Sequence, residues 1–433
     1  MQETARWLGY ALLGLLVLFV ALIAAYRLRG PTRTQREALS MMQRDYAPKA
    51  GRNAFPLLWY MQYDVPDDAV DARLAGEIAA LAQQLDSSDG AKMLKHEPDA
   101  NKLAEASLDT KTRCGRGMDC LAGVRADPEA MRAKLASFPV MLGREKAFEE
   151  TDYYRNPFPL DYRAFVYAVP HPAEGLWLAS FALKYVDGDH AGALRDVCRN
   201  IGTWRRLHRN SDSLIGSMTA IANADSGMRL FADMTAALPQ QEPVPSECAA
   251  ALGPVEAADL DRCSEMTGEF GFAGSIQRFY RSDPERPWWE RAADWLVFEP
   301  HQSEAWRAEQ NARYCGAAAL ARMQRDVPSQ AGSWTPVTHR VECVASFLGC
   351  IEADVVADAY RNYDERTLDF AAHLRLAATV LWLRENGRRF DDRPLELRSG
   401  ARDSAINVRE GWIYVANLFG GNRFELAVKS LAH

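Results

Sequence analysis

The sequence predicts a mainly α-helical fold: an N-terminal transmembrane helix, a soluble domain of helical hairpins that is partly tetratricopeptide-like, and a small C-terminal β-hairpin. Three observations predict it. The segment Trp7–Tyr26, WLGYALLGLLVLFVALIAAY, carries no charge and is bracketed by Arg6 and Arg27. Apolar residues recur at helical spacing through much of the remaining chain. Near the end, Ser404–Val408 and Trp412–Leu418 flank Glu410-Gly411, the pattern of two strands around a tight turn.

A helix of about 20 apolar residues rises roughly 30 Å, the hydrocarbon thickness of a bilayer. Trp7, Tyr10 and Tyr26 stand near its ends, where amphipathic rings prefer the interface. A cleavable signal peptide is the rival reading. Its apolar core would run only about 7–15 residues and end in a small-x-small site. Here the run ends Leu22-Ile23-Ala24-Ala25-Tyr26, so a retained single-pass anchor over residues 1–26 is expected.

Two features oppose each other on orientation. Arg27, Arg29, Arg33 and Arg36 follow the helix and pull the domain toward the cytoplasm. Eight cysteines pull it toward an oxidising compartment. The resulting expectation is an inner-membrane protein with a periplasmic domain. Cys114 with Cys120, in CGRGMDC, and Cys248 with Cys263 are the expected disulfides; buried free thiols are the alternative for several positions. Cys343 and Cys350 are excluded as a pair if one helix holds both. Seven helical residues separate Cα atoms by about 10 Å, beyond the roughly 7 Å a disulfide tolerates.

Residues 27–48 read as an Arg-rich linker with helix at Gln35–Arg44, and 49–170 as a mixed segment. Within that segment Phe55–Tyr63 reads as a buried strand or docking segment. Ala69–Leu85 reads as a helix, Asp86–Asp119 as irregular, and Asp127-Pro128-Glu129 as a helix start. The helical body spans 171–400. Trp177–Val186, a break at DGDH, and Ala191–Leu207 form a hairpin; Arg209–Asp212 supplies caps for helix from Ser213 to Leu238. Residues 284–323 predict a short aromatic helix, a break at Pro300 and a long alanine-rich helix. Val341–Tyr360 and Leu368–Glu385 predict two more, the second ending at Asn386-Gly387. Residues 401–433 are the hairpin tail.

Chemistry is sparsely marked. A net charge of -7 argues against nucleic acid, which calls for a concentrated basic face. HExxH, paired CxxC, GxSxG, a P-loop and GxGxxG are all absent from the sequence, so no metal and no small-molecule cofactor is expected. The one catalytic candidate is Glu269 in MTGEFGF. A carboxyl among apolar and glycine residues can have a raised pKa and serve as a general acid in glycan cleavage; the alternative is a helix-terminal or turn glutamate. Asp187 and Asp189 read as turn residues rather than metal ligands. Trp288, Trp289, Trp295 and Trp306 are either helical core or a partner surface. The basic run Trp204–Arg209 reads as a solvated helix end, with an anionic partner as the alternative.

Four stretches, GRNAFPLLWYMQYDVP, GTWRRLHRNSDSLIGSM, SGMRLFADMTAALP and MTGEFGF, resemble single-pass envelope proteins of xanthomonad-type bacteria. They cover about a fifth of the chain. The resemblance implies a retained anchor and a periplasmic domain, and brings no activity or catalytic residues with it. The expected function is therefore binding of a protein partner through the helical surface, as in a toxin-neutralising (immunity) protein or an envelope or secretion scaffold. The alternative is a cell-wall glycan hydrolase using Glu269.

Overall fold

The computed structural model describes residues 2–46, 50–87, 96–107, 114, 118–164, 173–282, 287–328, 336–387, 389–398, 402–407 and 410–428. Helix α1, Gln2–Arg29, leaves the large side chains from Trp7 to Leu22 exposed. Among the described residues its span Arg6–Arg29 is the one helix long and apolar enough to cross a membrane. Helix α2, Arg33–Met42, opens on a capping box in which Thr32 and Gln35 exchange hydrogen bonds. Its Gln35, Ala38 and Met42 are buried, so this arginine-rich stretch is docked on the domain rather than a free tether.

The run Phe55–Tyr63, expected as a buried strand or docking segment, is buried but not a strand: it opens as helix α3, Phe55–Trp59. An apolar run this short fits a buried strand or a buried helix, and Pro56 in the first turn favours the helix. Helix α4, Val70–Ser87, packs beside it, and Glu77 accepts from Tyr60 Oη at 2.6 Å and Trp59 Nε1 at 3.0 Å. Four short helices follow: α5 Cys120–Ala126, α6 Pro128–Leu135, α7 Pro139–Gly143 and α8 Glu145–Glu149. Asp119 and Asp127 cap α5 and α6 through their carboxylates. Buried Arg144 donates to the carbonyls of Tyr60, Met61, Tyr63 and Val65, fastening this group to α3. Half of the predicted irregular stretch 86–119 lies outside the described residues; the described part is mostly irregular, with one 3-10 turn at Ala104–Ser107.

The centre is the hairpin array α9 Ala173–Val186, α10 His190–Arg209 and α11 Leu214–Ala237. Trp177, Trp204 and Phe231 fill it. Short helix α12, Ser246–Ala251, lies on α10, and there Cys248 pairs with Cys198, not with Cys263. Cys263 opens the next helix, α13 Cys263–Ser282, and is buried as a free thiol in a different apolar cluster with Cys315. Cys114 and Cys120 are paired as expected. Cys343 and Cys350 are also paired, with Cα atoms 5.9 Å apart. Cys343 lies in the 3-10 turn Val341–Ala345, ahead of the helix that holds Cys350, so the single-helix condition that excluded the pair does not hold.

Helix α14, Trp288–Val297, and α15, Pro300–Ala312, break before Pro300 as expected. The alanine-rich helix does not continue: Arg313–Cys315 interrupts it, and α16, Gly316–Met323, restarts with Gly316 at φ +86°. The two helices predicted beyond residue 341 are one 40-residue helix, α17 Phe347–Asn386. Its polar middle stays helical because Asp364 is turned inward, 2.7 Å from Arg262. Among its described residues the tail forms the expected hairpin, β1 Ala405–Asn407 and β2 Trp412–Ala416, and adds β3 Arg423–Ala427 in the same antiparallel sheet. Ile413, Val415, Phe424 and Leu426 form its buried face, against α11 and α17.

Candidate functional site

Two glycines on α13 set the site. A Cβ on Gly268 would overlap the carbonyl oxygen of Asp212, in the turn joining α10 to α11. One turn later, a Cβ on Gly271 would stand 2.9 Å from Leu160 Cδ1. Their absent side chains let α13 approach both neighbours. MTGEFGF is thus a close-packing surface, and the glutamate between its glycines is carried to the α10–α11 turn. There Glu269 Oε1 accepts the Leu214 N–H at 3.2 Å, at the first turn of α11. Tyr360 of α17 lines the cleft formed there.

A cleft of about 490 Å³ opens at this junction. Its walls are the segment 154–164, the start of α11, the middle of α13 and α17. Tyr154, Phe158, Phe272, Tyr360 and Tyr363 supply aromatic surface, and Asp212 and Glu269 are both in its lining. Segment 154–164 is held in place by main-chain bonds at Tyr154, whose N–H donates to Asn210 O and whose carbonyl accepts from Asp212 N–H, each at 3.2 Å. Asp212 Oδ1 accepts the Asn156 N–H at 3.3 Å.

Burial dominates the electrostatics of both carboxyls. It pushes Asp212 up to about 7, against the opposing pull of the Asn156 N–H and Arg155; the Glu269 charge adds to the rise. Glu269 is raised too, again by burial, although the Leu214 N–H, Arg262 and the Tyr360 hydroxyl favour its anion. A polar cluster lies behind them. Glu265, one helical turn before Glu269, is pushed up to about 7 by burial. Arg262 sits 3.3 Å from Glu265 and 2.7 Å from Asp364. His208 Nε2 is 3.0 Å from the Asp259 carbonyl, which can only accept, so this nitrogen carries hydrogen. Burial pushes His208 down to about 4, so at neutral pH Nδ1 accepts from the Ser217 hydroxyl at 2.8 Å.

The other predicted residues are dispersed. Trp288 and Trp289 are 74% and 57% exposed, whereas Trp306 is 1% exposed among Val337, Cys343, Cys350 and Ala353. Trp306 is therefore core and is withdrawn from the partner surface. The side chain of Trp295 lies outside the described residues. Asp189 caps α10, and Asp187 pairs with Arg132 at 2.9 Å, so both serve the turn. The basic run is not solvated. Arg205 and Arg209 clamp Asp259 at 2.8 and 2.6 Å, and Arg206 donates to the carbonyls of Glu149 and Thr151. Burial raises the Asp259 carboxyl, but the two arginines outweigh it and hold it well below the usual range. A larger groove, about 760 Å³, runs past these arginines, but it is lined by ion pairs such as Lys184–Asp196 and Arg199–Glu247.

Sequence reasoning singled out Glu269 and took Asp212 for a helix-capping turn residue; the structure puts both in the lining of one cleft. The available signal was glycine spacing: Gly268 and Gly271, three apart on one helix face, mark a close approach whose partner only the tertiary structure names. Comparison with protein-family models, curated proteins and solved structures finds no match for the chain.

Proposed function

We propose that this chain is a membrane-anchored envelope enzyme that cleaves a cell-wall glycan in the cleft between α11, α13 and α17, with Asp212 and Glu269 as its acid–base pair. One observation carries this reading: two carboxyls, both raised by burial, line a single aromatic-walled cleft. Glycosidic cleavage needs one carboxyl that holds a proton at neutral pH and a second that ionises. Carboxyls in unlike surroundings within one low-dielectric cleft can hold different protonation states, as that chemistry requires. The aromatic walls offer flat apolar surface to the C–H faces of sugar rings.

Helix α1 supports membrane anchoring, and three disulfides support an oxidising compartment such as the periplasm. The test is reducing-end release from purified peptidoglycan by the full-length protein in detergent micelles. Release over a boiled control supports the reading; none from intact, folded protein rejects it.

A second reading, binding of a protein partner as an immunity protein or scaffold, is favoured by the exposed indoles of Trp288 and Trp289. It requires a stable partner recovered from membranes and lost in Trp288→Ala/Trp289→Ala. Normal recovery with that variant removes this surface from consideration.

A further inference from the structure

We infer that the domain rests in the membrane interface, through an apolar stripe on the first turns of α17 that continues the surface of α1. This rests on α1 being a retained anchor. The stripe is Phe347, Leu348, Ile351 and Val355, all exposed, with exposed Val341 in the 3-10 turn just before it. Positions 347, 351 and 355 recur every four residues and so share one helix face. A monomer in water gains nothing from such a cluster, and exposed contiguous apolar surface marks a protein or membrane contact.

The location names the occupant. The turn Val341–Ala345 packs on the last turns of α1, and Arg27 Nε donates to the Ala345 carbonyl at 3.0 Å. Ile23, inside the apolar span, is only 5% exposed, unlike the residues before it. Ile23 to Arg27 is about 6 Å along a helix axis, comparable to the roughly 5–8 Å of polar interface on each side of a bilayer. A domain that covers Ile23 therefore enters the headgroup layer, and the stripe begins two residues from the Ala345 contact. The Cys343–Cys350 disulfide ties the turn to the helix, so Val341 and Phe347 are held together on one body. Of the acidic residues of this segment, Glu342 lines a small pocket beside Tyr26 and Arg29 of α1, and the other two are engaged by the domain. Glu352 is engaged by Gln277 and Arg307, and Asp354 accepts from Val337 N–H, Thr338 N–H and the Thr338 hydroxyl. The occupant is thus the acyl–glycerol boundary of the leaflet that α1 leaves, contacted as by an interfacial amphipathic helix.

The test uses the full chain in phosphatidylethanolamine/phosphatidylglycerol vesicles containing a phospholipid with a diazirine in its acyl chain near the glycerol. After irradiation, adducts are mapped by mass spectrometry. The expected result is adducts on peptides covering 341–355 as well as on α1. Phe347→Asp/Ile351→Asp is expected to cut the 341–355 adducts at least tenfold while leaving those on α1 unchanged. Adducts confined to α1 overturn the interfacial contact and leave the anchor standing. Absence of adducts on α1 as well overturns both.

Discussion

Gly268 on α13 lies so close to Asp212 that a Cβ there would overlap the Asp212 carbonyl oxygen. This contact brings the two cleft carboxyls to one place, because Glu269 is the next residue and Asp212 belongs to the turn being touched. Gly268→Ala is expected to destabilise the fold by about 1–3 kcal/mol, since backbone must shift to accept it. Gly76, exposed within α4 with nothing within 4 Å of its Cβ position, is the control. Gly76→Ala should stabilise by up to about 1 kcal/mol through helix propensity. Urea unfolding of both variants checks the contrast.

Asp212 carries a pH signature. Its folded-state pKa is raised from 3.8 to about 7, so the native state holds this proton more tightly than the unfolded chain does. Its contribution to stability is fully present below about pH 4 and is lost as pH rises through about 7. Asp212→Asn removes that loss. The variant should exceed the parent by about 1–3 kcal/mol at pH 8, with the gain vanishing toward pH 4. Thermal unfolding across this range measures it, and a pH-independent difference would contradict the assignment.

The Cys198–Cys248 disulfide closes a loop of sequence separation 50 between α10 and α12. Chain-entropy arguments assign such a loop about 4 kcal/mol, of which about 2–4 is commonly realised. Cys198→Ser/Cys248→Ser should lose that amount in denaturant unfolding, with Cys263 and Cys315 still alkylated only after unfolding because both are buried.

The tryptophans separate by burial. Trp306→Ala is expected to cost about 3–5 kcal/mol, the usual range for emptying a large aromatic site. Trp306→Phe should cost less, because the buried indole nitrogen has no hydrogen-bond partner to lose. Trp288→Ala and Trp289→Ala should stay within about 0.5 kcal/mol of the parent. Melting temperatures of the four variants order them.

The sequence made the helical hairpins legible because their signals are local. DGDH, the caps before α11 and the apolar spacing of α9 and α10 each act within a few residues. The errors came where distant groups decide. Residues 361–367 look like a polar break between two helices, yet Asp364 meets Arg262 from another helix and the chain runs through. Phe55–Tyr63 has no period long enough to separate strand from helix, and its burial on all sides removes the polar face that would have shown one. Cys248 was paired with its sequence neighbour, whereas α12 lies on α10 and presents it to Cys198. At the site, Glu269 was visible as a carboxyl among glycines, but Asp212 drew attention only as a cap. Its elevated proton affinity comes from burial beneath segment 154–164 and α13, neither of which is near it in sequence.

The central claim is that Asp212 and Glu269 act together in one cleft. Reducing-end release from peptidoglycan by the full-length parent, Asp212→Asn and Glu269→Gln, each with its helical circular dichroism recorded, tests it directly. The account predicts release by the parent and at least a hundredfold loss in either variant with the fold intact. Parental activity retained by both folded variants, or no release by the parent, would contradict it.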